Sequence, residues 1–202
     1  MPRRGSEMTH SADQWEHLQG LGSSAFPHVN GTLAAHLQGT GRMLRSFGAR
    51  DALCVAGLWH AVYGTDGIRG SLSSLDDRAA IAELIGVESE ALVYLYGACA
   101  RDAFHPRIGT PDALRFVDRF AKTEYPITVQ QLRDFCELTL ANELELVQNG
   151  QRFRAKHALE LDRFFGRMRG LVSERAWRAM RAVLSPSLSS CSEVDRGTAS
   201  GR

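Results

Sequence analysis

The fold of this 202-residue chain is decided by one stretch, Leu53-Cys54-Val55-Ala56-Gly57-Leu58-Trp59-His60-Ala61-Val62-Tyr63. Its only strongly polar side chain is that of His60, so a helix here has no polar face to expose to solvent and must lie at the centre of the protein. A buried imidazole costs about 1 to 3 kcal/mol unless it is paired. The sequence therefore predicts a central helix from about Ala52 to Tyr63, ended by Gly64, in which His60 has polar partners.

Helical patterns continue on both sides of this stretch. Asn30 is expected to cap a helix that carries His36 on the inward flank of its apolar stripe and ends at Gly48. Thr128 and Gln131 form a capping box for a long helix that reaches about Gln148. A further helix is predicted after Pro111, and its expected stripe consists of Leu114, Val117, Phe120 and Ala121. We expect an all-α bundle of eight or nine helices.

The chain divides into a helical domain, a helical hairpin and two tails. We place the domain at 13–150 and the hairpin, packed on it, at 151–184, and we read 1–12 and 185–202 as disordered tails. Residues 151–202 contain 11 Lys and Arg against 5 Asp and Glu. These basic residues form either a solvated face or an anion-binding patch. Three apolar residues of the hairpin suit either a dimer surface or a lid; they are Phe164, Phe165 and Trp177.

Composition excludes several classes of protein. At 44% hydrophobic residues, the chain can bury a full core, and no apolar run reaches the roughly 18 residues of a membrane span. The four cysteines are far apart in sequence, which predicts free thiols in a reducing compartment. The N-terminus lacks the apolar segment of a secretory signal. We therefore expect a cytoplasmic protein that binds neither membrane nor nucleic acid and acts on a small molecule.

The functional candidates are the inward histidines. His36 and His60 lie on consecutive helices joined by a short link, so their imidazoles can face each other. Such a pair suits a metal ion or acid–base catalysis, although each could simply be a hydrogen-bonded core residue. Tyr63, three residues after His60, is expected on the same helix face, with Trp59 close by. Arg101 lies before His105-Pro106, in a segment that can close over a site.

The order of these motifs resembles a known family. His36 is followed by Trp59-His60-Ala61-Val62-Tyr63-Gly64-Thr65-Asp66, and the long helix carries Ala141-Asn142-Glu143-Leu144. The stretch from Phe26 to about Gly109 resembles the first half of an HD-superfamily domain and is most similar to the hydrolase domain of (p)ppGpp hydrolases. The resemblance implies that His36 and His60 occupy metal-ligand positions and that Asn142 stands where the family has its last ligand, an Asp.

The acidic residues of that family are replaced in this chain. Ala61 stands at the Asp after the motif His, and Gly64 and Thr65 stand at the acid pair. Because hard divalent ions need carboxylate ligands, the inherited pyrophosphohydrolase chemistry is not expected. Two possibilities remain. One is a rebuilt site for Fe, Mn or Zn, whose expected ligands are His28, His36, His60 and Asp66, and the other is a pocket without metal.

These observations support two functions. The first is a divergent HD-like enzyme acting on a small polar or phosphorylated molecule. Its predicted catalytic residues are His36, His60 and Tyr63, and its predicted substrate contacts are Trp59, Thr65, Asn142 and Arg101. The alternative is a non-catalytic module that binds a nucleotide or another small molecule on a degenerate HD scaffold.

Overall fold

The computed structural model describes residues 13–28, 31–68 and 70–194, with side chains as far as Leu184. These residues form nine α-helices and two short antiparallel hairpins, which confirms the prediction of an all-α fold. The helices are residues 13–20 (α1), Leu33–Phe47 (α2), Asp51–Trp59 (α3), Arg78–Ile85 (α4), Val87–Ala98 (α5), Arg101–Phe104 (α6), Val129–Asn149 (α7), Gln151–Gly166 (α8) and Glu174–Val194 (α9). The strands are Pro27–His28 (β1), Gly31–Thr32 (β2), Arg115–Asp118 (β3) and Thr123–Pro126 (β4). Single 3-10 turns are found at Leu75–Asp77, His105–Arg107 and Pro111–Leu114.

Helix α7 is the centre of the bundle. It packs against α2, α3, α5, α8 and α9. The predicted capping box at its start is confirmed, because the side chains of Thr128 and Gln131 each accept a hydrogen bond from the other residue's backbone N–H. Such a cap is worth about 1 kcal/mol. The apolar residues predicted to face inward from this helix are all buried; they are Leu132, Phe135, Leu138, Leu140 and Leu144.

Helices α2 and α3 pack closely because glycines face each other where they meet. A Cβ atom on Gly57 would lie 2.4 Å from Leu44 Cδ1 and 3.4 Å from the Cα of Gly41. A Cβ on Gly41 would lie 3.3 Å from the carbonyl oxygen of Cys54. The two backbones can therefore come close enough for His36 and His60 to face the same space.

Two helix ends near the site differ from the prediction. The expected cap Asn30 lies outside the described residues, and α2 is instead capped by Thr32, whose hydroxyl oxygen accepts the N–H of Ala35. Helix α3 ends at Trp59, one turn earlier than predicted, and residues 60–63 form a turn. The left-handed residue is Gly64, as expected, with φ of 73°. The early end places His60 on the turn rather than inside the helix.

The helix predicted after Pro111 is wrong beyond Leu114, where β3 and β4 form a hairpin. Asp118 explains the turn, because its Oδ1 accepts the backbone N–H groups of Phe120 and Ala121, both at 2.8 Å. A side chain that binds nearby backbone donors competes with helix formation. The period of apolar residues that suggested a helix here was coincidental.

The last two helices form a hairpin on α7, and α9 extends to Val194, so the first ten residues of the predicted tail, 185–194, are helical. The helix continues through Pro186 and the serines around it, although proline and serine are both unfavourable inside a helix, and nothing in the structure explains this continuation. The predicted tail at 1–12 and the rest of the second, 195–202, lie outside the described residues. Phe165 is fully buried within the chain, so it cannot belong to a dimer surface.

Two predictions from composition agree with the described part of the chain. Cys54, Cys99 and Cys136 are free and buried. Among the described helices, none combines the length and the apolar character that crossing a bilayer requires.

Candidate functional site

A cavity of about 60 Å³ lies among α2, the turn after α3, the start of α6 and α7. We call it the inner cavity. Its polar lining includes six of the predicted site residues, which are His28, His36, His60, Thr65, Arg101 and Asn142. The volume is several times the roughly 10–15 Å³ that one water needs. It therefore has room for one small polar group.

His36 projects from α2 and is held by two residues of α7. Its Nδ1 pairs with the carboxylate of Glu145, and its Nε2 lies 2.9 Å from Asn142 Oδ1. Glu145 also accepts a hydrogen bond of 2.5 Å from the side-chain amide of Asn149. Both ring nitrogens of His36 therefore face oxygen atoms of α7. These contacts fix the ring in place and leave neither nitrogen free for a further ligand.

His60 has a different character. It is 2% exposed, and its Nδ1–H donates to the carbonyl oxygen of Gly57 at 2.8 Å. Burial, together with the positive charge of His36, lowers the pKa of His60 to about 3. The ring is therefore neutral near pH 7, and its Nε2 carries a lone pair. No described residue forms a hydrogen bond with this Nε2, so it is available to a bound molecule.

The third histidine, His28, covers the other two. Its ring stacks on that of His36 with centroids 4.2 Å apart, while His36 and His60 meet edge to face at 5.2 Å. Burial and the charge of His36 lower the pKa of His28 to about 4. His28 is thus a second neutral imidazole at the cavity.

Arg101 brings a positive charge to the cavity. Its backbone N–H donates to Asp66 Oδ2 at 2.9 Å, which anchors the first residue of α6. The partly buried guanidinium lies over the ring of Tyr96, 5.8 Å from its centroid. Burial lowers the pKa of Arg101, but nearby acidic groups outweigh burial and raise the pKa overall. Among the described residues, no carboxylate forms an ion pair with this guanidinium.

Tyr63 and Trp59 do not reach the cavity. The Tyr63 hydroxyl donates to Glu90 at 3.0 Å, and Arg78 holds the same carboxylate at 2.7 and 2.9 Å. Burial and Glu90 raise the pKa of Tyr63. Trp59 is fully buried, with its ring 6.0 Å from that of His17. The structure therefore brings neither side chain to the cavity. For Tyr63 the reason is that α3 ends at Trp59, so helical spacing does not extend to residue 63. Trp59 lies within the helix but contacts the side of the core where His17 lies.

The predicted metal site is not assembled. Among the described residues, no group of three or more His, Cys, Asp and Glu side chains is arranged to hold a metal ion. Both nitrogens of His36 are already engaged, and the carboxylate of Asp66 is bound to the backbone of Arg101. The four residues His28, His36, His60 and Asp66 therefore do not fit a divalent ion, and no chemistry is derived through one.

The structure adds three residues that the sequence reading missed. Glu145 and Asn149 support His36, and Gly39 makes room for Glu145, since a Cβ there would lie 2.7 Å from Glu145 Cγ. A signal was present in the spacing, because Glu145 lies three residues after Asn142 and Gly39 lies three residues after His36. These residues act by holding His36 rather than by contacting a substrate.

A second cavity adjoins the first. It has a volume of about 840 Å³ and lies between the segment 101–105, Glu143 of α7 and helix α8, and we call it the outer groove. Arg101 and Glu143 line both cavities. Burial raises the pKa of Glu143, although Arg101 partly offsets this effect. The two cavities thus share one cationic and one acidic side chain.

Comparison with known proteins gives one similarity. The sequence model of a family described as a domain of unknown function (DUF6817) matches residues 17–101, which is less than half of the chain. The matched segment contains all three histidines of the inner cavity and ends at Arg101, whereas Asn142 and Glu145 lie beyond it. No match was found among curated proteins or among solved structures.

Proposed function

We propose that this protein is a divergent HD-like enzyme that acts on a small phosphorylated molecule in the inner cavity, in the reducing environment of the cytoplasm. Support for the HD-like ancestry comes from three residues far apart in sequence. His36, His60 and Asn142, at the positions to which the resemblance assigns metal ligands, line one cavity. His36 and Asn142 are joined directly by a hydrogen bond.

The observation that carries the proposal is the guanidinium of Arg101, a partly buried cation beside neutral His60. Acidic groups such as Glu143 and Asp66 lie near enough to raise its pKa, but among the described residues no carboxylate forms an ion pair with it. A desolvated cation is costly unless it is paired, so this position favours an anionic ligand. Arginine suits phosphate because its planar N–H groups can donate two parallel hydrogen bonds. We assign the phosphate group to Arg101, with Asn142 and Thr65 as neutral contacts.

The chemical step we propose is a proton transfer. The lone pair on His60 Nε2 accepts a proton from the bound molecule or from a water molecule beside it. A phosphate near His60 favours the imidazolium that forms, because a neighbouring anion raises the pKa of an imidazole. His36, held by Glu145, packs beside the ring of His60. We propose that neither His36 nor Glu145 contacts the reacting atoms.

One observation favours the alternative of a non-catalytic binding module. Of the two inward histidines, only His60 keeps a free nitrogen, since both nitrogens of His36 are engaged. A single neutral imidazole and an arginine are sufficient to bind an anion without turning it over.

Binding and turnover are tested separately. Inorganic phosphate is expected to raise the melting temperature of the wild-type protein, because a ligand that binds only the folded state stabilises it. Arg101→Gln and Asn142→Ala should remove this rise, and Arg133→Gln, at an exposed position on α7, should retain it. A rise that survives Arg101→Gln would contradict the proposed anion site.

Turnover is followed by ³¹P NMR of phenyl phosphate and of pyrophosphate, each incubated with the protein. A new phosphorus signal that wild type produces and His60→Gln does not would support the enzyme. Unchanged spectra, together with phosphate binding that depends on Arg101, would contradict the enzyme and support the non-catalytic binding module.

A further inference from the structure

The outer groove contains a set of basic side chains without acidic partners. In the described part of the chain, none of these makes an ion pair; they are Arg101, Lys156, Arg163 and Arg167. The acidic residues of the groove do not neutralise them. Glu160 lies 3.4 Å from His157, and Glu143 forms no ion pair with any of the four. Among the described residues, Asp102 also makes no ion pair with any of the four.

Three other arginines of the same hairpin form ion pairs, whereas Arg152, Arg154 and Arg175 are like the groove residues in forming none among the described residues. Arg169 and Arg178 both pair with Glu174, at 2.9 and 3.3 Å, and Arg181 pairs with Asp162 at 2.9 Å. The two carboxylates that pair with these arginines, Asp162 and Glu174, do not line the groove, and Glu160, which does, lies beside His157. This distribution leaves a local excess of positive charge in a concave surface, where it attracts anions.

Apolar side chains lie among these cations. Phe164 stacks on the ring of His105 with centroids 4.7 Å apart, and the guanidinium of Arg167 lies 5.3 Å from the Phe164 centroid. Leu159 lines the same groove and is 51% exposed, although leucine is usually buried. Burial and the adjacent arginines lower the pKa of His105 to about 4, so this ring is neutral near pH 7. The groove thus combines positive charge with apolar surface, and its volume lies in the usual range for small-molecule sites.

We propose that the outer groove binds a small organic anion, whose phosphate or carboxylate contacts Arg163 and Arg167 and whose apolar body packs on Leu159 and Phe164. Arg101 belongs to both cavities, so this inference rests in part on the proposed function and extends it. The inner cavity has room only for the phosphate that contacts Arg101, and the groove binds a second anionic group and the apolar body of the same molecule. Phenyl phosphate and benzoate represent this second part. The basic hairpin is thereby given a binding role.

Isothermal titration calorimetry with phenyl phosphate tests this site. We expect Arg163→Gln to weaken binding about tenfold or more, because it removes charge-assisted hydrogen bonds. Phe164→Leu should reduce the affinity for phenyl phosphate more than it reduces the affinity for inorganic phosphate. Arg178→Gln is the matched control, since Arg178 is an exposed arginine of the same hairpin outside the groove, and it should leave the affinity unchanged.

Two further ligands identify the chemistry. Benzoate replaces the phosphate by a carboxylate and should bind if the groove selects an oxyanion of either kind, whereas weak binding of benzoate assigns the site to phosphate. Phenol has the ring without the negative charge and should give no measurable heat. Binding of phenol as tight as that of phenyl phosphate would overturn the proposal.

The same titrations separate this inference from the proposed function. If His60→Gln and Asn142→Ala lose phenyl phosphate binding while Arg163→Gln keeps it, the ligand lies in the inner cavity alone and the groove is excluded. If Arg163→Gln loses binding while the two inner-cavity variants keep it, the groove stands and the proposed function fails. Equal affinity in all variants, in proteins whose circular dichroism shows a normal fold, would contradict both.

Discussion

At the scale of single residues, His60 and His36 show how two neighbouring imidazoles can differ in their hydrogen bonding. His60 is buried and has one carbonyl partner, whereas both nitrogens of His36 face oxygen atoms of α7. Their roles therefore differ. His60 can accept a proton or a hydrogen bond from a ligand, and His36 is a fixed part of the cavity wall beside it.

The lowered pKa of His60 makes the free energy of unfolding depend on pH. The pKa of His60 falls from an ordinary 6.5 to about 3 on folding, so between these values the unfolded state binds the extra proton and stability falls as the pH falls. His28 and His105 act in the same direction down to about pH 4. His60→Gln should flatten the dependence of unfolding free energy on pH by up to about 1.4 kcal/mol per pH unit.

Urea denaturation between pH 6.5 and 4.5 measures this slope. Thr65→Ala is the control, since it changes an uncharged residue of the same cavity and should leave the slope unchanged. Parallel curves for wild type and His60→Gln would mean that His60 becomes protonated in the folded protein.

Gly39 offers a sharper test of the His36 support. Alanine in a helix is ordinarily more stable than glycine by about 1 kcal/mol. At this position a Cβ would lie 2.7 Å from Glu145 Cγ, so Gly39→Ala must displace the carboxylate that pairs with His36. We expect Gly39→Ala to destabilise the wild-type protein but to stabilise the Glu145→Ala variant.

A double-mutant cycle of unfolding free energies measures the effect of Gly39→Ala in the wild-type and Glu145→Ala backgrounds, and the two effects should have opposite signs. If Gly39→Ala stabilises both backgrounds equally, the carboxylate moves at no cost and is not an essential support of His36.

At the scale of elements, the pairing of α2 with α3 depends on glycine. A Cβ on Gly57 would lie 2.4 Å from Leu44 Cδ1, inside the packed core. Gly57→Ala should therefore cost about 1 to 3 kcal/mol, despite the better helix propensity of alanine. Gly166→Ala, at the open end of α8, has no atom within 4 Å of the new Cβ and should be neutral or stabilising. The urea midpoints of the two variants and the wild-type protein measure these changes in stability. A Gly57→Ala variant as stable as wild type would show that α2 and α3 can move apart without a loss of stability.

Elements were predictable where local signals agreed with packing. Helix α7 has a capping box and an apolar stripe that point to the same structure, and both were confirmed. The hairpin of β3 and β4 was missed because its strands have four residues each, which is too short for alternation to show. Its turn depends on Asp118, which also accepts a hydrogen bond from the Tyr94 hydroxyl, and a contact that distant in sequence leaves no local signal.

The same limit applies to the site. His36, His60 and Asn142 could be predicted to meet, because each is a polar residue on an otherwise apolar face or matches a motif of the resembling family. Tyr63 was misplaced by an error of one helical turn in the end of α3. Glu145 was missed because a carboxylate on a helix is usually exposed, and only the space left by Gly39 allows it to turn inward.

At the scale of the whole molecule, the C-terminal hairpin belongs to the same core as the rest. Met168, Met180 and Leu184 are fully buried, and α9 packs against α7 and α2. Met180→Ala should therefore cost about 2 to 5 kcal/mol and lower the stability of the entire protein. Far-ultraviolet circular dichroism and tryptophan fluorescence should report one common urea transition. An earlier, separate transition would show that the hairpin unfolds on its own.

The space that Gly39 leaves for Glu145 has a consequence for proteins related to this one. Because the three positions 36, 39 and 145 form a single packed unit, they are expected to change together during evolution. A relative with a larger residue at the position of Gly39 should have a shorter or uncharged one at that of Glu145, and its histidine at position 36 would then lose its charged partner. Such a protein would have three imidazoles at the cavity, those of positions 28, 36 and 60, without an acidic partner, and this is a set of nitrogen ligands that could bind a metal ion.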